Sequence, residues 1–371
     1  MGEEVNILWF TARNMADLCS TTQAALGEGL VALGHNVTLI NPDIEKSHSA
    51  FSWSHVSIPA EAMRGRKAHV LGKGMCQWLL KTEIEDKTIA IVDWRVASTL
   101  SKTLKMKSIP WVLMDRSPPA DRGLLARFQW PVWKRAWKMV KRGEANFGCV
   151  VSTSHSNFVS SRVGVLEKSM ISISAGVDVS LFVPGVKNKE ITLIYHGRLD
   201  KHRGILSLPK LLEKLRQNGV NAKLILIGEG DSFGGLQRMA DTRNDMEVIA
   251  SLPQVKLVEK LAGSHIGLLP MPNSKVWTLA SPLKRSEYAA SGLLIFGIDH
   301  MGHRFENMVQ PDWLHLVTQE NFHSQGVEWI QSLNPEKILK LSTDSRQYAE
   351  QNLDWGKSVK RLEEACISCL Y

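Results

Sequence analysis

Val5-Asn6-Ile7-Leu8-Trp9-Phe10 is a short apolar run, closed by the polar Thr11-Ala12-Arg13-Asn14. A helical pattern over residues 21–33 follows and stops at Gly34, the residue type that most readily takes the left-handed conformation at a helix C-terminus. His35-Asn36-Val37-Thr38-Leu39-Ile40 then reads as a second strand, halted by Asn41-Pro42. Strand, helix, glycine, strand at these lengths is a βαβ unit, whose crossover is right-handed when the strands pair in parallel.

The same alternation continues outward. Ile89-Ala90-Ile91-Val92, Trp111-Val112-Leu113-Met114, Cys149-Val150-Val151-Ser152 and Met170-Ile171-Ser172-Ile173 are short apolar runs separated by helix-length segments. Strands buried on both faces of a parallel sheet have this composition. After Pro184-Gly185 the pattern restarts, with strands over 191–195, 222–227, 247–250, 266–269 and 294–297 and helices over 205–217, 233–242 and 286–290. The expected fold is α/β, with two Rossmann-like, doubly wound domains facing across a cleft: residues 1–184, then 185–349. In such folds ligands sit beyond the C-terminal ends of the strands.

Composition removes several classes. The 371 residues carry 45 Lys+Arg against 37 Asp+Glu, a net charge of +8, with 44% hydrophobic and 22% charged residues. That is ordinary globular composition, so disorder is excluded for the bulk of the chain. No apolar stretch reaches the ~18 residues of a membrane span. The acidic start lacks the basic and apolar regions of a secretory signal, and Asn6 stands where myristoylation of Gly2 requires Ser or Thr. Cys19, Cys76, Cys149, Cys366 and Cys369 are odd in number and mostly scattered, which suits a reducing compartment, and the C-x-x-C at 366–369 has no second pair. The expected location is cytoplasmic.

Three blocks carry chemistry. His196-Gly197-Arg198-Leu199-Asp200-Lys201-His202-Arg203-Gly204 follows a strand and opens a helix, combining a close-approach glycine, two guanidiniums and free helix N–H groups. That combination suits a diphosphate, though a basic loop capping a helix has the same composition. Gly228-Glu229-Gly230 ends a buried strand, either as a ligand turn or as an ordinary one. In Ser281-Pro282-Leu283-Lys284-Arg285-Ser286-Glu287, proline marks a helix start and Glu287 lies about one turn in. A carboxylate there either accepts ribose hydroxyls or simply complements the helix dipole.

In order and spacing these blocks resemble glycosyltransferase family 4, enzymes of GT-B fold that retain anomeric configuration. Three further segments are similar to the family: Gly176-Val177-Asp178 with Phe182 and Pro184, the Trp355 helix that crosses back to the first domain (residues 350–371), and Gly34-His35 with Val37. The resemblance covers nearly the whole chain and is densest in the second half. It implies that Arg198 and Arg203 hold the donor diphosphate and act catalytically, with Arg203 where lysine is usual. It implies further that Glu287 binds the ribose, that Gly197, Gly228, Glu229 and Gly230 line the nucleotide pocket, and that the Leu283–Lys284 turn adds N–H groups. No metal or other cofactor is implied, because two guanidiniums and a helix start neutralise the departing nucleotide, and no D-x-D motif occurs.

The chain departs from the family in places. Leu279 replaces the first of its two glutamates, the glycine pair after the first strand is absent, and Asp115 follows a strand where histidine is common. Asp115 reads equally as an acceptor-orienting base or as a loop cap, and Asp93 is a weaker candidate of the same kind.

Residues 127–142 hold six basic and no acidic side chains, with Trp130, Trp133, Trp137 and Val140 on one helical face and Lys134 and Lys138 beside it. The expectation is an interfacial helix set against anionic lipid, and the alternative is a domain helix with its tryptophans in the core. The reading that results is a peripheral, retaining hexosyltransferase of glycan biosynthesis, moving a sugar from a nucleotide donor to a lipid-linked or glycan hydroxyl. The alternatives are a catalytically silent scaffold relative, motivated by Leu279, a sugar-nucleotide epimerase of the same fold, and a weaker nucleic-acid reading of 127–142.

Overall fold

The first apolar run folds as β1 (Asn6–Phe10), which pairs in parallel with β2 (Asn36–Asn41) on one side and with β4 (Thr88–Asp93) on the other. Ile7 stands opposite Val37 and Ile89, so the β-branched side chains of three strands stack in one layer. This computed structural model describes residues 4–15, 20–44, 48–61, 65–119, 127–306 and 309–371. Gly2 and Cys19, considered above, lie outside the described residues.

The first sheet has seven strands in the order β3-β2-β1-β4-β5-β6-β7, completed by β3 (Ser54–Ser57), β5 (Trp111–Met114), β6 (Phe147–Val150) and β7 (Met170–Ser172). The second has six in the order β10-β9-β8-β11-β12-β13: β8 (Ile191–His196), β9 (Ala222–Ile227), β10 (Met246–Ile249), β11 (Ile266–Leu269), β12 (Leu294–Ile298) and β13 (Leu314–Val317). Every pairing is parallel. In each sheet the order reverses beside the first strand of the series, which puts a switch point next to β1 and next to β8.

The chain forms two compact units: residues 1–174 with 355–371, and residues 175–354. The second unit thus begins ahead of Pro184-Gly185. Val177 and Phe182 are buried in its core, Val177 bridges to Asp354, and the Arg346 guanidinium donates to the carbonyls of Val179, Phe182 and Ala290. Apolar side chains, not the glycine, fix where the unit starts.

The helix Trp355–Ile367 closes the first unit's core with Val359, Leu362 and Cys366. Gly29 of the helix Ser20–Ala32 lies directly against Val359, and His35 Nε2 is 2.9 Å from Glu363 Oε1. The terminal C-x-x-C is part of this packing: burial raises the Cys366 thiol well above its ordinary value and pushes Cys369 up to about 12.

Candidate active site

The second unit's site grows from two strand ends. β8 ends at Gly197, with φ +110°, and β9 ends at Gly228, with φ +139°. A Cβ on Gly228 would collide with the Gly197 carbonyl, and one on Gly230 would come 2.6 Å from Asp200 Oδ1. The two turns therefore interlock backbone to backbone, and only glycine allows it.

Asp200 organises the basic block. It accepts from Arg198 Nε at 3.1 Å and Nη2 at 3.0 Å and from the Asp231 N–H at 3.2 Å, with Arg203 Nε at 3.6 Å. Burial would raise its carboxyl, but the Arg198 hydrogen bonds, the Asp231 N–H and the two guanidinium charges outweigh burial and hold it below the ordinary value. Arg198 and Arg203 consequently differ. Arg198 is engaged bidentately with Asp200, while Arg203 lies over the Trp277 ring at 4.7 Å with a buried Nε that has no hydrogen-bond partner among the described residues.

The helix Leu283–Ala290 supplies the other wall. Its N-cap, Pro282, gives no side-chain hydrogen bond, so nothing from that residue covers the helix start. Lys284 extends over the Tyr195 ring at 5.3 Å, and a Cβ on Gly197 would sit 2.8 Å from its ammonium. Burial and the Arg203 charge lower Lys284 to about 8, with Glu287 opposing them. Glu287 is 8% exposed, and its Oε2 is 3.1 Å from His196 Nε2. Tyr195, pushed up to about 12 by burial, donates its hydroxyl to the Arg198 carbonyl at 3.1 Å. Arg285, buried beneath, donates to the carbonyls of Gly302 and Arg304 and to Ser281 Oγ, anchoring the helix from its far side.

The structure thus places Gly197, Arg203, Gly228, Gly230, Lys284 and Glu287 around two adjoining strand ends, with Glu229 exposed at the rim. Leu279 is buried, so no carboxylate stands at that position. The side chains missed from the sequence are the Lys284 ammonium, the Tyr195 and Trp277 rings and His196 as the partner of Glu287. Each touches a residue remote in the chain, and no local spacing signals that.

In the first unit Asp115 has no exposed surface. It accepts from Trp133 Nε1 at 2.5 Å, Trp137 Nε1 at 2.8 Å and the Ser117 N–H at 3.1 Å, with His155 Nε2 at 3.2 Å. Burial would raise this carboxyl, but the His155 imidazole and the two indoles outweigh burial and hold it below its ordinary value. A group enclosed in this way cannot touch an acceptor, which corrects the catalytic reading. Its role is to bind the helix Gln129–Lys141 to the end of β5.

The part of the interfacial reading that gave Trp133 and Trp137 to lipid is corrected in the same place. Trp133 and Trp137 are fully buried because their N–H groups satisfy Asp115, and Trp130 packs edge-on against Trp133 and Phe158. Lys134 and Lys138 remain exposed.

No family model and no curated protein sequence matches the chain. Solved structures do. Sucrose-phosphate synthase from Thermosynechococcus elongatus is 14% identical over 97% of this chain and 98% of its own, with a TM-score of 0.76. The catalytic domain of starch synthase IV from Arabidopsis thaliana, bound to ADP and acarbose, is 12% identical over 99% and 100%, with a TM-score of 0.72. HepE from Anabaena, in complex with UDP-glucose, is 11% identical over 98% and 99%, with a TM-score of 0.69. The protein has the two-domain, Rossmann-like GT-B fold of nucleotide-sugar glycosyltransferases. At such identities the likeness is one of fold.

Proposed function

We propose that the protein is a glycosyltransferase that moves a hexose from a nucleoside-diphosphate sugar to a hydroxyl of a glycan or lipid-linked acceptor, with retention. The observation that carries this reading is the pairing of Lys284 and Arg203 beside Gly197. The two cations share one strand end, and Lys284 makes no hydrogen bond among the described residues.

A diphosphate entering there meets two positive charges, the uncapped start of the helix Leu283–Ala290 and glycine backbone that allows close approach. As the bond from the sugar carbon to the phosphate oxygen breaks, negative charge grows on that oxygen, and fixed cations stabilise it without reorganising. The acceptor oxygen forms its bond to the same carbon on the same face and passes its proton to the departing phosphate. Because the positive charge comes from side chains, we expect turnover to persist in EDTA. Asp200 positions both arginines, and the Glu287 carboxylate, which has His196 Nε2 3.1 Å from its Oε2, accepts the ribose hydroxyls. Arg127, Lys134, Arg135, Lys138 and Arg142 remain as an exposed basic surface, and with the exposed Phe128 they support docking on an anionic membrane.

The test is incubation with UDP-, GDP- and ADP-hexoses and mixed glycan acceptors, with products read by mass spectrometry and anomeric NMR. The expected result is an acceptor-linked sugar with the donor's configuration, abolished by Glu287→Ala together with Lys284→Ala. An inverted product refutes retention, and no transfer or hydrolysis of any donor refutes the enzyme.

A further inference from the structure

The two arginines of the basic block present their hydrogen-bonding edges differently. Arg198 turns Nε and Nη2 onto the Asp200 carboxylate at 3.1 and 3.0 Å, so one edge of its guanidinium is occupied. Arg203 Nε stands 3.6 Å from the same carboxylate, an ion pair beyond hydrogen-bond reach. Its guanidinium carbon instead lies 4.7 Å from the centre of the Trp277 ring, with the Tyr195 hydroxyl as a further polar neighbour. A guanidinium carries its N–H donors in its own plane, so an aromatic ring on its face holds it without occupying any of them.

Trp277 is itself braced. Its indole lies parallel to the His202 imidazole, at 6.0 Å between centroids and 12° between planes, so it faces two successive residues of the 3-10 turn Lys201–Arg203. That turn ends at Gly204, with φ +75°, where a Cβ would collide with the Pro270 carbonyl. From behind, the Gly302 backbone closes on the Trp277 carbonyl so tightly that a Cβ there would collide too, and the Gly302 carbonyl accepts from the buried Arg285 at 3.1 Å. The connection that follows β11 is thus packed against the basic block on one side and against the loop after β12 on the other.

We propose that Trp277 is a positioning residue: its ring fixes the plane of the Arg203 guanidinium so that the in-plane N–H groups meet the oxygens of a pyrophosphoryl group. A carboxylate in place of the ring would occupy those same N–H groups and offset the charge that attracts the anion. That the anion is part of a sugar nucleotide rests on the transferase reading above; the stacking itself does not.

The experiment has two arms, both on the full chain. In the first, two-dimensional proton–nitrogen NMR follows the Arg203 Nε–H, identified by its absence in Arg203→Ala. The indole ring current should displace this signal in the wild type, Trp277→Phe should keep part of the displacement, and Trp277→Leu should return it to the position of an exposed arginine. In the second, UDP, GDP, ADP and inorganic pyrophosphate are titrated by calorimetry into the wild type, Trp277→Leu, Trp277→Phe, Arg203→Ala and Trp277→Leu/Arg203→Ala. Trp277→Leu should weaken binding about tenfold, Trp277→Phe should restore most of that loss, and Trp277→Leu should add nothing once Arg203 is gone.

An Arg203 signal at one position in the wild type and in Trp277→Leu, losses that add in the double variant, or equal losses in Trp277→Phe and Trp277→Leu would each overturn the proposal. Anion binding with a non-additive cycle but no sugar transfer would keep this role and sink the transferase reading. Sugar transfer with an additive cycle would do the opposite, and a wild type that binds none of the four anions would overturn both.

Discussion

An ammonium 5.3 Å from the Tyr195 ring and hemmed in by Gly197 has lost much of its water, which is why Lys284 falls to about 8. In the unfolded chain the same amine titrates near 10.5, so the folded protein releases that proton early. Stability therefore rises as pH climbs from about 8 towards 10.5, where the unfolded chain binds more protons. A bound diphosphate favours the ammonium, so nucleotide affinity falls across the same interval. UDP titrations between about pH 7 and about pH 9.5 should show a several-fold loss, and Lys284→Met should remove most of that pH dependence without lowering the melting temperature. Arg198 and Arg203 were both legible from sequence as residues of a basic loop. That Asp200 engages one of them bidentately was not, because the pairing depends on how the turn folds and not on which residues it contains.

The helix Gln129–Lys141 shows the same limit one level up. Its periodicity puts the tryptophans on one face, but periodicity cannot say whether that face meets lipid or the domain interior. The deciding fact is a carboxylate distant in sequence. Asp115→Ala would leave two buried indole N–H groups unpaired and cost about 3–5 kcal/mol, measurable as a lowered denaturant midpoint. Because this carboxyl sits below its ordinary value, its stabilisation is present above the unfolded pKa near 3.8 and is lost as pH falls through the folded value. Asp115→Asn should accordingly flatten the acid limb of the stability curve. The opposite face of the helix retains its cations. Flotation with phosphatidylserine vesicles should recover the wild type and should fail for Lys134→Glu/Lys138→Glu; equal flotation of both would remove the helix from any docking surface. Among strands, β3 and β13 were missed. Ser54-His55-Val56-Ser57 is too polar to announce an edge strand, and in Leu314-His315-Leu316-Val317 a histidine interrupts the short apolar run.

At the scale of the molecule, the repeated strand–helix rhythm was enough to expect two parallel sheets, and their continuous apolar runs are the signature of strands covered on both faces. What the rhythm hides is where the chain changes unit. Val177 and Phe182 take residues 175–184 into the second core, and the helix Trp355–Ile367 returns the last residues to the first. The central claim is that the second unit grips a nucleoside diphosphate between Arg203 and Lys284. Calorimetric titration of UDP, GDP and ADP into the wild type and into Arg203→Ala/Lys284→Ala tests it directly. The account predicts that at least one nucleotide binds and that the double variant, still folded by circular dichroism, loses at least ~100-fold in affinity. Binding of equal strength in both proteins, or of no nucleotide by either, would contradict it.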